Sequence, residues 1–343
     1  MNRTRVLATI LLLAAGIAPS VAWADDVAQF YQGKQIRLII GADVGGPNDA
    51  YGRLLGRYIT RHIPGNPSVI VQNMPGASSV IAANFIYGKA PQDGTVLATL
   101  INTIPLTKAL GEVETQFDLT KLNWIGNMAR ELYTVYVRSR TAINSLDDAK
   151  HAKVTMGAVT PNAMGSIYPR LINDLAGTQF QVVTGYPGMA AVENAMARGE
   201  VDGVAGDRWY DGHGAGVSFN WYLDGSVRTI ALIGSKSPAE FAGVPHLVEL
   251  AGDDEGKQLA ELFSSPAEIG KPLVMGPEVP PERVAAMRDA FDATMRDPDL
   301  LAEAKQLKLD IDPETGDQLA TLVAAIMTQS ATIRARARAI MYQ

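Results

Sequence analysis

Apolar runs of strand length alternate with helically patterned stretches through most of this chain of 343 residues. Gln35-Ile36-Arg37-Leu38-Ile39-Ile40 reads as a buried strand, and from Ala50 to Ile59 apolar residues recur at helical spacing. The alternation continues with a strand at Ser68 to Gln72, a helix from Val80 to about Lys89, and a strand at Thr95 to Leu100. Pro91-Gln92-Asp93-Gly94 is the turn before that last strand. A short helix follows, and then Asn123 to Met128 leads into Tyr133 to Val137.

A second set begins near Arg138. Ser145-Leu146-Asp147-Asp148 resembles a capping box with Asp in place of the usual Glu or Gln. Strands are expected at Val154 to Ala158, Phe180 to Val183, Glu200 to Gly206 and Val227 to Ile233, with helices at Ile167 to Leu175 and Met189 to Arg198. Beyond Ile233 the pattern is mostly helical, with the stripe Val284, Met287, Ala290, Phe291 and Met295. Strand and helix alternating in this way predict an α/β fold with mainly parallel sheets. One α/β set, a second, and a helical return fit two lobes with a cleft between them. The expected boundaries put lobe 1 at 25–127 plus 234–343 and lobe 2 at 128–233. In open parallel sheets ligands bind outside the carboxyl ends of the strands, where the polar loops of this chain fall.

The first 24 residues stand apart from that fold. Arg3 and Arg5 precede the apolar run Val6 to Ile17, and Ala22-Trp23-Ala24 supplies small residues for cleavage before Asp25. This is the pattern of a secretory signal, and it places the mature chain in the periplasm. Its removal takes away two positive charges and no negative one, so a chain already at −6 becomes more acidic. With no basic run, nucleic acid is not an expected partner. There is no Cys, so disulfides, thiol nucleophiles and thiolate metal sites are excluded together, and stability must come from a core that a 47% hydrophobic composition can supply.

Catalytic patterns are poorly represented. His62, His151, His213 and His246 are scattered without metal-ligand spacing, and no G-x-S-x-G, G-K-[ST] or G-x-G-x-x-G occurs. The acidic run Asp253-Asp254-Glu255 lacks the alternating oxygens of an ion loop and reads as a solvated turn. No enzyme, cofactor or metal is expected. What remains is a set of small-residue and polar loops, each following a strand. Asn73, Ser78, Ser79, Asn102, Thr103, Thr160, Asn162, Ser166 and Thr184 offer neutral hydrogen bonds, while Gly45, Gly46, Gly76 and Ala77 offer backbone donors. In Asp43-Val44-Gly45-Gly46-Pro47-Asn48-Asp49 the adjacent glycines allow tight turns, and Asp49 is expected to cap the following helix. That junction suits an anion. Arg130 and Arg208 are each candidates for a bidentate grip on a carboxylate, the alternative being an internal ion pair, for Arg130 with Glu131 or another acid and for Arg208 with Asp207. Trp209, Tyr210, Tyr186 and Trp221 could stack on a planar ligand or simply fill a lobe.

Five short stretches together make the chain resemble the Bug-type receptors of tripartite tricarboxylate transporters. They are Asp43 to Asp49 with Arg53 in the following helix, Val71-Gln72-Asn73-Met74-Pro75-Gly76-Ala77-Ser78-Ser79, Ala90-Pro91-Gln92-Asp93-Gly94-Thr95, Gly185 to Ala190, and Gly199-Glu200-Val201-Asp202. The resemblance covers the mature chain. It implies a two-lobed periplasmic binding protein of the flytrap kind that delivers a di- or tricarboxylate, or an aromatic carboxylate, to membrane permease subunits. By motif position the ligand contacts carry over to Gly45, Gly46, Asn48 and Asp49 in the first loop, and to Pro75, Gly76, Ala77 and Ser78 in the second. Asn102, Thr160, Asn162, Arg130 and Arg208 complete the expected site. The expected protein is a monomer. A ligand-presenting component of a sensory system is the alternative from a different class, and an exported enzyme on the same scaffold is a third. Asp43 and Val44 stand where the family has prolines, and Pro47 stands where it has glycine. Asp43 puts a negative charge beside the expected carboxylate position.

Overall fold

The computed structural model of the chain describes residues 20–111, 115–209 and 217–343. Most of the expected secretory signal, together with Tyr210 and His213, lies outside those residues.

The first segment contains helix α1 (Ser20–Tyr31), strand β1 (Gln35–Ile40), α2 (Pro47–Tyr58), β2 (Ser68–Asn73), α3 (Val80–Gly88), β3 (Val96–Thr99), α4 (Ile104–Ala109) and β4 (Asn123–Asn127). The second contains β5 (Leu132–Arg138), α5 (Asp148–His151), β6 (Val154–Gly157), α6 (Met164–Ala176), β7 (Phe180–Val183), α7 (Met189–Arg198), β8 (Gly203–Trp209), α8 (Val217–Leu223) and β9 (Val227–Ile233). The return contains α9 (Asp254–Ile269), β10 (Pro272–Met275), α10 (Pro281–Thr294), α11 (Pro298–Leu307), β11 (Glu314–Thr315), α12 (Gly316–Met327) and α13 (Ala331–Met341).

Two sheets result. The first runs β11-β4-β10-β3-β1-β2 and the second β7-β6-β8-β5-β9. Both are mixed, which corrects the expectation of mainly parallel sheets. β1 pairs in parallel with β2 and β3, but β10 is antiparallel to both of its neighbours, β3 and β4. In the second sheet β6 is parallel to β7 and β8, whereas β5 is antiparallel to β8 and β9. β10 is also the strand hidden in the stretch read as helical. Pro272 opens it, as a proline can at a strand's first residue, and its four residues are all buried, so it carries no alternation to announce it.

The local signals explain most boundaries. Ser145 and Asp148 exchange hydrogen bonds, with the Ser145 N–H donating to the Asp148 carboxylate at 3.0 Å and the Asp148 N–H to Ser145 Oγ at 3.4 Å. The acidic run at 253–255 is not a bare turn: Asp253 caps α9 by accepting from the Gly256 N–H at 2.7 Å. One apolar cluster extends through both sheets, from Ile39, Ala98 and Trp124 to Val135, Met156 and Ile167, by way of Leu259 and Phe263 of α9 and Ile333 and Ile340 of α13. A second lies between the first sheet and α1, α2, α10 and α11. The returning helices α9 and α13 thus pack against residues of both sheets.

Candidate functional site

β1, β2 and β3 end in register, with Ile40 opposite both Asn73 and Thr99. The three following loops therefore leave the sheet side by side, and Ser79 joins them. Its hydroxyl donates to the Gly41 carbonyl at 2.6 Å and accepts the Ile101 N–H at 2.8 Å. Gly41 must lack a side chain here, since a Cβ would lie 2.6 Å from Ser79 Oγ. Ser79 is fully buried, yet Pro75, Gly76, Ala77 and Ser78 before it are exposed. Ala77, Ser78 and Ser79 take φ of 45°, 50° and 72°, so three successive non-glycine residues occupy the left-handed region. Each such residue costs about 1–2 kcal/mol, and such strain persists where the surrounding structure imposes it, characteristically at ligand sites.

The first loop is fixed by a second set of bonds. α2 begins at Pro47, with Gly46 as its N-cap and no side-chain cap, so Asp49 stands in the first turn and is not the cap. Its carboxylate instead accepts the Gly45 N–H at 2.9 Å, Arg53 Nε at 2.9 Å and Asn73 Nδ2 at 2.8 Å. Arg53 donates onward to Asn73 Oδ1, and Asn73 Nδ2 to the Ala42 carbonyl. The hydrogen bond from Arg53, with those from Gly45 and Asn73, outweighs burial and holds the Asp49 carboxyl down at about 2. Asp49 and the Gly45 N–H are consequently occupied in shaping the loop. Gly46 and Asn48 remain partly exposed at the start of the helix, where first-turn N–H groups have no carbonyl of their own helix to bond. Pro47 sits at the first helical position, where a missing N–H leaves no helix bond unmade.

The third loop leads to the junction between the sheets. Asn102 is buried, and its Nδ2 donates to Glu131 Oε2 at 3.0 Å, the Tyr133 hydroxyl at 3.0 Å and the Pro266 carbonyl at 2.7 Å. Glu131 also receives Lys271 Nζ and the Tyr133 hydroxyl, and Arg208 Nε lies 3.0 Å from its Oε1. Burial pushes the Glu131 carboxyl up, but Lys271 and Arg208 together hold it below the usual range. Burial pulls the Lys271 ammonium down and, aided by Glu131, drives the Tyr133 hydroxyl well up. Glu131 and Lys271 are each only 4% exposed, whereas Arg208 is 29% exposed. This cluster joins the loop after β3, the β4–β5 crossing, the end of β8 and the start of β10. Pro266 lies inside α9 and cannot donate to the Leu262 carbonyl, and Ser265 Oγ replaces that bond at 2.7 Å.

In the second sheet β6 and β7 end together, with Gly157 opposite Val183, while β8 pairs with the end of β6 at its own start, through Val204, and runs on to Trp209. Thr160 and Asn162 are exposed on the loop after β6, which is folded back by Ser166 Oγ donating to the Thr160 carbonyl at 2.7 Å. Arg208 lies on the same side, at the end of β8. Arg130 is placed differently: it makes a two-point pair with Asp312, at 2.9 and 3.1 Å, and donates to Ser235. Trp209 packs edge-on against Tyr222 and Phe241 at 4.9 and 4.8 Å between centroids, an arrangement of core aromatics. Tyr186 and Trp221 lie partly buried against the cluster around Tyr136.

Sequence reasoning therefore located the loops after β1, β2, β3 and β6 but missed Lys271 and the centrality of Glu131 and Tyr133. An acid beside Arg130 and a lysine between Gly270 and Pro272 carry no local pattern that distinguishes them. The arrangement offers fixed backbone donors, neutral polar groups and a guanidinium, the means of holding a small polar molecule. Among the described residues no group of His, Cys, Asp and Glu is placed to hold a metal ion.

Residues 60–337 match the family described as tripartite tricarboxylate transporter family receptor. A UPF0065 protein of Cupriavidus necator is 28% identical over 319 residues, covering 91% of this chain and 88% of that protein. A solved TctC solute-binding protein from Polaromonas superposes with a TM-score of 0.69 at 19% identity, covering 90% of this chain and 98% of that one. A Rhodopseudomonas palustris protein solved with adipate gives a TM-score of 0.58 at 19% identity, covering 89% and 97%. The chain belongs to the tripartite tricarboxylate transporter receptor family of solute-binding proteins.

Proposed function

We propose that this protein is a periplasmic receptor that captures a small organic acid in a cleft between two lobes and presents it to the permease subunits of a tripartite transporter. The lobes are residues 25–127 with 234–343, and 128–233. Support comes above all from the left-handed run Ala77–Ser79, held by Ser79 against the other two loops of its sheet. That strain keeps exposed backbone at Gly76, Ala77 and Ser78 in one fixed shape beside the start of α2. A carboxylate would lie against those two loops, and Arg208, Thr160 and Asn162 would meet the ligand from lobe 2. Closing the lobes would exclude water and strengthen each contact, with ligand shifting an open-closed equilibrium. The adipate held by the R. palustris protein is consistent with an acid as cargo.

A thermal-shift panel of dicarboxylates, tricarboxylates, aromatic acids, amino acids and neutral sugars tests this reading. A ligand at 100 times its dissociation constant stabilises by about 2.7 kcal/mol, enough for a clear shift. Selective stabilisation by one class of acid is expected, weakened in Arg208→Gln by about 2–5 kcal/mol of binding free energy. A response to sugars alone, or to nothing, would overturn it.

A further inference from the structure

A cavity of about 380 Å³ opens at the end of the second sheet remote from the cleft. β5 leaves the junction at Leu132 and reaches this cavity at Arg138, roughly 20 Å further on at about 3.3 Å per strand residue. Its apolar wall is Met196 and Val227, both buried, with Trp221 packed partly buried beside them. Arg138, Arg140 and Asp224 supply its charge.

The disposition of those charges decides what would fit. Arg138 is held by Asp202 through Nη2 at 3.1 Å, and Asp202 is itself fixed by the Thr155 N–H and hydroxyl at 2.9 and 2.7 Å. Among the described residues Arg138 Nη1 makes no hydrogen bond, and the absence of a side chain at Gly199, whose Cβ would stand 2.9 Å away, leaves it room. Arg140 is exposed and has neither an ion pair nor a hydrogen bond among the described residues. Asp224 caps the turn beside it by accepting the Ser226 N–H at 2.8 Å, and hydrogen bonds from the Ser226 hydroxyl and N–H keep its carboxyl below the usual range. Arg140 and Asp224 thus line one cavity without pairing with each other. A simple organic anion would meet the repulsion of Asp224, and a simple cation that of two guanidiniums. A molecule carrying both charges on one carbon, with an apolar side chain, meets neither.

We propose that this cavity is a second binding site, for an amino-acid-like zwitterion. Its carboxylate lies against Arg138 Nη1 and Arg140, its ammonium against Asp224, and its apolar side chain on Trp221 and Met196. The cavity volume is of the size that takes a small ligand.

The test labels the purified chain with 5-fluorotryptophan and follows the fluorine resonance of Trp221, identified by its loss in Trp221→Phe. L-Phenylalanine is expected to shift that line with a dissociation constant at least about tenfold lower than 3-phenylpropionate or 2-phenylethylamine, each of which lacks one charge. Arg140→Gln and Asp224→Asn, both at exposed side chains, are each expected to weaken the effect several-fold. The proposal falls if millimolar phenylalanine leaves the Trp221 line unmoved, if 3-phenylpropionate acts as strongly, or if the shift persists unchanged in both variants. Phenylalanine bound in the cleft would produce that last result.

Discussion

Replacing Ser79 by alanine removes one hydroxyl and orphans two backbone groups at once, the Gly41 carbonyl and the Ile101 N–H. Ser79 has no exposed surface, so water does not take over directly. A buried polar group left unsatisfied costs about 1–3 kcal/mol, and two of them put the expected loss at about 2–6 kcal/mol. The backbone adds a comparison that isolates strain from bonding. At φ 72° alanine keeps the left-handed penalty, while glycine sheds about 1 kcal/mol of it. Ser79→Gly should therefore fall between wild type and Ser79→Ala, although it loses the same two bonds. Urea unfolding of the three proteins, read as midpoints at constant slope, measures this. Both variants should also bind the cleft ligand more weakly, because loops one, two and three are no longer tied together. A Ser79→Ala protein within about 0.5 kcal/mol of wild type, or a glycine variant less stable than the alanine one, would refute the reasoning.

Asp49 gives a pH signature. Its folded-state pKa is lowered from 3.8 to about 2, so its stabilisation is complete above 3.8 and is lost as pH falls through that interval. With Arg53 41% exposed, screening limits the effect to the order of 1–2 kcal/mol, and acid titration of Asp49→Asn should lack that part of the stability slope. Lys271→Met leaves the buried Glu131 carboxylate without its most buried cation, and chemical denaturation should report a loss of about 3–5 kcal/mol, partly recovered on adding Glu131→Gln. Gly270→Ala should not yield stable protein at all. Its φ is +47° and the new Cβ would sit 1.7 Å from the Ala129 carbonyl oxygen, so loss of the cooperative transition in circular dichroism is expected.

Local pattern carried a large part of this protein. β1, β2, β7 and β9 lie within a residue of where hydrophobic runs place them, β1 and β9 because largely buried strands need continuous apolar sequence, and the half-exposed edge strands β2 and β7 because β-branched and aromatic residues stand between turn signals. The polar loops at Gly45–Asp49, Pro75–Ser79 and Thr160–Asn162 were legible for a related reason. Glycine, proline and short polar residues after a strand mark a chain that must turn at the sheet's carboxyl edge. The first two of those loops, taken together with the stretches at Ala90–Thr95, Gly185–Ala190 and Gly199–Asp202, were enough to reach the family.

Direction and partnership were not legible. β10 enters the middle of the first sheet antiparallel because the chain returns from α9, a fact of connection that no four-residue window contains. Asp49 looked like a cap but serves the Gly45 N–H, Arg53 and Asn73, since only the register of β1 with β2 brings Asn73 beside it. Arg130 and Arg208 were equivalent in sequence. Tertiary structure gives Arg130 to Asp312, 182 residues away, and sets Arg208 beside Glu131, whose other cation comes from Lys271, 140 residues along. Hydrophobic period is a property of neighbours in the chain and survives in one dimension. A buried charge finds its counter-charge through space, so only the folded chain decides which acid holds each arginine.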